Sequence, residues 1–463
     1  MIQQDIFPAE TYKARRDTLR KSMGSGQILL IGNDESSVNF TDNWYPYRQD
    51  STFLYYFGIS QAGLMGIIDC DEGIDYLVGD DLSIDDIVWT GKQPSIKALA
   101  ESVGVINSCS WAQVDSLISE GVHYLPPYRP EGTIKLMDLL FKSKAFIDSN
   151  YSMKLIHSIV GQRNIKSSEE IAELHKAVDI TSKMHLAVMQ AAKPGLTEYE
   201  LVGLAAQIIR SHNVNPSFQP IMTINGQVLH NHFYGNTIAE GDLLLFDGGA
   251  ESPKGYAGDM TRTYPVSKTF STLQGEMYDV VYDAHRAAVD AVAPGVRFLD
   301  VHLIACKTLV SGLTEIGLMK GDPEEAVQVG AHTMFFQCGL GHMMGLDVHD
   351  MENFGEQNVG YTNEHRKSTK FGLKSLRLGK ELEIGNVLTV EPGIYIIPEL
   401  IDMWKAEDRH KDFINYEMLE KHRDFGGIRV EEDFVVGSQG AELLGIPLAI
   451  ERKEVEAVRQ SVL

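Results

Sequence analysis

A chain of 463 residues is longer than one hydrophobic core readily supports, so two domains are expected. The hydrophobic fraction of 43% is that of an ordinary globular protein, while a formal charge of -23 argues against nucleic-acid or anionic-membrane partners, which need clustered Lys and Arg. No stretch approaches the roughly 18 uncharged apolar residues of a membrane span. Met1-Ile2-Gln3-Gln4-Asp5 lacks the basic start and apolar run of a signal peptide. Cys70, Cys109, Cys306 and Cys338 form no metal or redox spacing, so a cytoplasmic protein is expected.

In chain order, residues 11–23 carry a helical pattern, and 27–32, 63–69 and 75–79 read as strands of a small mixed sheet. These fall in an expected first domain, 1–160, which shows no metal-type cluster. A second domain, 161–463, opens where Ser167 and Glu170 form a capping box ahead of apolar residues at helical spacing. That helix stops at Lys193-Pro194-Gly195, and Thr197 with Glu200 caps another. The punctuation returns at Ala293-Pro294-Gly295, between a helical run from Leu273 and a helix from Asp300. Each such unit is followed by strands carrying two carboxylates. The expectation is a diverged internal repeat, two pseudo-symmetric halves each offering an acidic strand pair to one centre.

The first pair is Asp247, closing Leu243-Leu244-Leu245-Phe246, and Asp259, after a turn containing Pro253 and Gly255. His342 follows Gly339-Leu340-Gly341, with His349 seven residues on. Glu391 closes Val387-Leu388-Thr389-Val390, and Glu431 ends Ile428-Arg429-Val430. Taken singly, an Asp beside a glycine turn is ordinary turn chemistry, and a lone His is usually a satisfied core residue. Together, four acids on apolar strands need a common positive partner, because an unpaired buried carboxylate is costly. An oxygen-rich set with one imidazole suits Mn²⁺, Fe²⁺ or Co²⁺ better than thiolate-bound structural zinc. Two divalent ions in such a cradle support amide hydrolysis without a side-chain nucleophile. Of Glu431 and Glu432, strand alternation lets only one face the centre, and Glu431 is the choice. His349 is better placed for substrate than for metal. Of His230 and His232, one is a candidate to stabilise an oxyanion, leaving the other a surface-loop residue.

These motifs, with Asp259-Met260-Thr261-Arg262-Thr263, Gly345-Leu346-Asp347-Val348-His349-Asp350, Glu391-Pro392-Gly393-Ile394-Tyr395 and Gly427 through Asp433, resemble the prolidase and aminopeptidase P branch of the pita-bread metallopeptidases. Tyr45-Pro46-Tyr47-Arg48-Gln49-Asp50-Ser51 resembles that branch's first domain, so the likeness spans nearly the whole chain. The resemblance implies an α/β fold in which a mixed-sheet N-terminal domain precedes a pseudo-symmetric pita-bread catalytic domain. It implies a homodimer or higher homo-oligomer, and a dinuclear site, commonly manganese, held by Asp247, Asp259, His342, Glu391 and Glu431. Asp259 and Glu431 would bridge the two ions, and Glu391 would act as general base on the attacking water. His230 and His349 would serve intermediate and substrate, His232 is kept as a further substrate contact, and Arg429 would support the ligands.

The implied reaction cleaves the bond between an N-terminal residue and a following proline. Segments between His349 and Glu391 and between Glu391 and Glu431 resemble prolidases, whose matching Arg, here Arg377, clamps a dipeptide's carboxylate; the other reading of Arg377 is a solvated loop charge. An Xaa-Pro dipeptidase is therefore preferred over an aminopeptidase acting on longer peptides. A non-catalytic peptide-binding protein on the same fold is the alternative of another class, disfavoured because all five ligand positions are intact. A methionine aminopeptidase is weaker still, since that family lacks the large first domain. One departure stands out: Cys338 occupies a position where the family usually carries His.

Overall fold

The computed structural model describes residues 5–462. The chain divides into two compact units. One runs to Arg163 and takes in Met351–Asn358; the other holds Asn164–Asp350 and resumes at Val359. The return of Met351–Asn358 to the first unit has no counterpart in the sequence reading, which drew a single boundary. His157 Nε2 lies 3.4 Å from Asn358 Oδ1, a pairing within that unit.

In the first unit, the helix Ala9–Met23 precedes a four-stranded sheet ordered β1 (Gln27–Ile31), β2 (Met65–Asp69), β3 (Ile74–Val78) and β4 (Asn107–Cys109). β1, β2 and β3 are antiparallel neighbours and β4 runs parallel to β3, so the sheet is mixed. The buried guanidinium of Arg16 joins several elements at once. It donates to Asp75 Oδ2 at 2.8 Å, to the Tyr56 carbonyl at 2.8 Å and to the Val103 carbonyl at 2.9 Å. A charge with no solvent exposure is tolerable only with this degree of satisfaction.

The second unit carries the repeat. Ser167 and Glu170 cap the helix Ser168–Ala191 reciprocally, and Thr197 with Glu200 caps Glu198–Ser211. Their counterparts are Thr272–Ala291 and Phe298–Glu315. The Pro-Gly junctions behave alike. Gly195 and Gly295 both take positive φ, 90° and 82°, which suits a residue without Cβ. Gly195 N donates to Ile238 O and Gly295 N to Leu382 O, each at 2.8 Å. The return bonds also match: Ile238 N to Leu196 O at 2.8 Å, and Leu382 N to Val296 O at 2.9 Å. Thr197 bridges Thr237 as Arg297 bridges Glu381. Equivalent bonds at equivalent junctions make the two halves structural repeats despite their divergent residues.

Each half supplies a three-stranded sheet. β5 (Ile221–Thr223), β6 (Leu243–Asp247) and β7 (Thr261–Pro265) form the first, with β6 central and wholly buried. β8 (Val387–Val390), β11 (Glu432–Val436) and β12 (Ala441–Leu443) form the second, with β11 central. β9 (Gly393–Tyr395) pairs with β10 (Gly427–Arg429). The expected strand through Glu431 is broken: β10 ends at Arg429, the Glu431 amide donates to Thr261 O at 3.0 Å, and β11 then pairs with β8. This change of partner joins the two halves at the acidic residues, where Thr261 and Glu431 form an isolated bridge.

Candidate active site

The five expected donors converge on a single cavity of about 260 Å³, lined also by His230, His232, His349, Arg377, Cys338, Tyr395 and Arg429. Asp247 ends β6, Asp259 lies just before β7, and Glu391 directly follows β8. Glu431 lies between β10 and β11. Alternation along β7 separates two tasks. Thr261 turns toward Glu431, and its hydroxyl donates to Glu431 Oε2 at 2.6 Å. Arg262 faces away and binds Glu432 Oε1 at 2.7 Å and the Glu431 carbonyl at 2.9 Å. Of the two adjacent acids, Glu431 lines the cavity and Glu432 pairs with Arg262.

The glycines before His342 have a reason the sequence did not disclose. A Cβ at Gly341 would lie 2.0 Å from the Thr389 carbonyl oxygen. The segment therefore runs directly against β8, with Thr389 N donating to His342 O at 3.1 Å and Glu391 N to Leu340 O at 2.7 Å. Close backbone approach, more than freedom around the ring, explains Gly341.

The polar groups are arranged for a cation. Asp259, His342 and Glu431 each place a donor atom within 4.8 Å of the others, all three buried. Asp247 Oδ1 and Asp259 Oδ1 are buried without a hydrogen-bond partner. His342 Nδ1 lies 3.2 Å from the Met343 carbonyl, to which it can donate, and Nε2 turns inward. Nε2 faces Asp259 Oδ2 at 3.5 Å and Glu391 Oε1 at 3.7 Å. The Asp259 and Glu431 carboxylates, with oxygens within 4.8 Å of each other, would repel by roughly 3–4 kcal/mol if both were charged, at an effective dielectric of about 20. Burial, and then Asp247, push Asp259 well above the usual carboxylate range. Burial, Asp259 and Glu391 do the same to Glu431, and burial raises Glu391 to about 7 despite His342 and Arg429 nearby. Divalent ions among these oxygens would relieve all of these conflicts, so the donors fit a hard metal centre.

Arg429 is the positive group already present. It donates to Asp247 Oδ2 at 2.5 Å, to Thr261 Oγ1 at 3.1 Å and to Tyr395 Oη at 3.0 Å. The sequence reading missed Tyr395, Thr261, Thr263 and Asp433 as parts of this support. Thr263 exchanges hydrogen bonds with the Arg429 backbone, and Asp433 Oδ2 accepts from the Asp259 amide at 2.8 Å. Only Asp433 carried a sequence signal, an acid two residues beyond Glu431 in a buried strand. Phe218, Gln219 and Ile221 also line the cavity, from a stretch with no polar motif. Arg377 stands in the wall, partly buried between buried Leu376 and Leu378.

A model described as metallopeptidase family M24 matches residues 172–438, and one described as the aminopeptidase P N-terminal domain matches 12–124. The chain belongs to metallopeptidase family M24. Among relatives of this M24 enzyme, Xaa-Pro aminopeptidase of Escherichia coli K12 is 30% identical, the alignment covering 97% of each chain. Xaa-Pro dipeptidase of Homo sapiens is 33% identical across 95% of this chain and 90% of its own. A solved structure of zinc-substituted E. coli aminopeptidase P in complex with product superposes with a TM-score of 0.82 at 28% identity, covering 99% of this chain and 100% of that one.

In this M24 chain Cys338 Sγ lies 3.9 Å from Tyr395 Oη at the cavity wall. Burial and then Glu391 push its thiol up to about 12, so it neither gains nor loses a proton near neutrality. Replacing it by an imidazole introduces a group that titrates there. Cys338→His is expected to raise turnover or move the pH optimum toward neutrality. A folded, metal-replete variant with the parent's pH–rate profile would show that this position handles no proton.

Proposed function

We propose that this M24 enzyme is an Xaa-Pro exopeptidase with two divalent ions per chain, preferentially Mn²⁺, and that it acts chiefly as an Xaa-Pro dipeptidase. The observation carrying the reading is the placement of Arg377, His349 and His230 around the same small cavity as five metal-type donors. The oxygen-rich donor set favours Mn²⁺ by its hardness, and the dipeptidase relatives support the substrate class.

Asp247, Asp259, His342, Glu391 and Glu431 would hold the ions, which when bound would supply the Lewis acidity to polarise the scissile carbonyl and acidify the attacking water. Glu391 takes the proton of that water and delivers it to the leaving proline nitrogen. His230, its pKa lowered by partial desolvation and by Arg429, is neutral at pH 7 and donates an N–H to the developing oxyanion. Arg429 holds Asp247 and Tyr395 in place. His349, whose ring stands 4.3 Å from that of His342, positions the substrate, and His232, which lines the same cavity, is a further contact.

The Arg377 guanidinium grips the terminal carboxylate, a task for its two-pronged geometry. Loss of one charge-assisted contact costs about 1.5–3 kcal/mol, roughly 10- to 150-fold in efficiency. Arg377→Ala is therefore expected to raise KM for Xaa-Pro dipeptides within that range and to leave Xaa-Pro-Yaa tripeptides nearly unaffected. The aminopeptidase reading is favoured by the full-length similarity to the E. coli enzyme. A wild type that prefers the tripeptide, with no change in either substrate on Arg377→Ala, would establish that reading.

A further inference from the structure

A second cluster of ligand-type side chains shares no residue with the lining of the catalytic cavity. His302, Cys306 and His332 each place a donor atom within 4.8 Å of the other two, and all three are buried. His302 and Cys306 sit one turn apart on the helix Phe298–Glu315, with Sγ 3.4 Å from Nε2. His332 comes from the 3₁₀ turn Ala331–Met334. The Nδ1 atoms of His302 and His332 are buried without a hydrogen-bond partner. A core built only for packing has little reason to concentrate three such groups, two with unsatisfied nitrogens.

We propose that His302, Cys306 and His332 form a second metal site, distinct from the catalytic centre, which takes Zn²⁺. Two imidazoles and a thiolate are borderline-to-soft donors, the set zinc accepts and manganese does not favour. The catalytic donors have the opposite character, so the two centres select different metals. Burial keeps His302 and His332 neutral, with pKa values pushed down to about 3 and about 4, which leaves a lone pair on each ring. Cys306 is a thiol in the metal-free protein, its pKa raised by burial. Binding exchanges that S–H for an S–Zn bond and releases the proton to solvent, with no redox change. The ion would tie the helix Phe298–Glu315 to the turn that leads toward Cys338 and His342, and nothing in the proposed hydrolysis uses it.

The test starts from the Asp259→Asn/Glu431→Gln chain, which lacks two catalytic donors, produced with zinc in the medium. We expect it to retain about one Zn²⁺ per chain, as a single site requires, with X-ray absorption showing one sulfur and two imidazole nitrogens around the metal. Co²⁺ in its place should give a near-ultraviolet thiolate charge-transfer band. Because Cys338 lies near Cys306 and lines the catalytic cavity, both cysteines must be changed separately. The band and the zinc-dependent rise in Tm should vanish in Cys306→Ala and persist in Cys338→Ala. Should Cys306→Ala fail to fold, the sulfur in the absorption spectrum and its persistence in Cys338→Ala still decide the matter. No bound zinc, a shell of nitrogen and oxygen only, or a band lost in Cys338→Ala instead would overturn the proposal.

Discussion

Asp259→Asn and Glu431→Gln should each lose stoichiometric catalytic metal and nearly all turnover. Both side chains belong to the buried triad with His342, and Glu431 already accepts the Thr261 hydroxyl. An amide of the same shape keeps the packing and removes the charge that a ligand to a divalent ion would supply. The same substitutions should affect the metal-free protein in the opposite sense. Asp259, Glu431 and Glu391 have folded-state pKa values above the ordinary carboxylate range, Glu391 at about 7 against 4.5. For a raised acid, the unfolded state releases its proton first as pH rises. Stability is therefore fully present below pH 4 to 5 and is lost as pH climbs through the folded-state values. Metal-free wild type should melt at progressively lower temperature from pH 5 to pH 8, and Asp259→Asn should flatten that decline. Calorimetry with and without metal, paired with metal analysis, checks both halves. Full metal and full turnover in both variants would remove these residues from the ligand set.

His230→Ala should lower the chemical rate by about 10²-fold or more, the usual cost of losing an oxyanion donor, while His232→Ala should cost little. Both rings line the cavity, and the His230 pKa is lowered by burial and then by Arg429, with Asp247, Arg377 and His349 also acting on it. An oxyanion donor acts on kcat and kcat/KM alike, whereas a substrate contact raises KM. Steady-state kinetics on the two single variants separates these outcomes. Equal and small effects would mean that the loop carrying both histidines holds substrate and takes no part in chemistry.

The helices and sheets that frame the site were legible because local signals agreed. Ser167 with Glu170 and Thr197 with Glu200 mark helix starts through reciprocal side-chain bonds that need only a few neighbouring residues. Leu243-Leu244-Leu245-Phe246 reads as a buried strand because no polar residue interrupts it. The five candidate donors and Arg429 stand out in the sequence because acids and a histidine contrast with apolar strands, and because their motifs recur together in a known family. Less was available for Tyr395, Thr261 and Thr263, whose hydroxyls are ordinary in any strand. Their contribution depends on which atoms face them across the sheet, and a sequence carries no such information.

Sequence alone thus determined the element types, the repeat punctuation and the kinds of donor, since each rests on local periodicity or on intrinsic chemistry. Tertiary structure decided the rest. It placed Met351–Asn358 with the first unit, ended β10 at Arg429 so that Glu431 could pair with Thr261, and set Gly341 against the Thr389 carbonyl. It also drew His332 beside His302 and Cys306, an association with no spacing to announce it. In each case the deciding interaction is between residues remote in sequence, where the energetics depend on distance, burial and the direction of a lone pair.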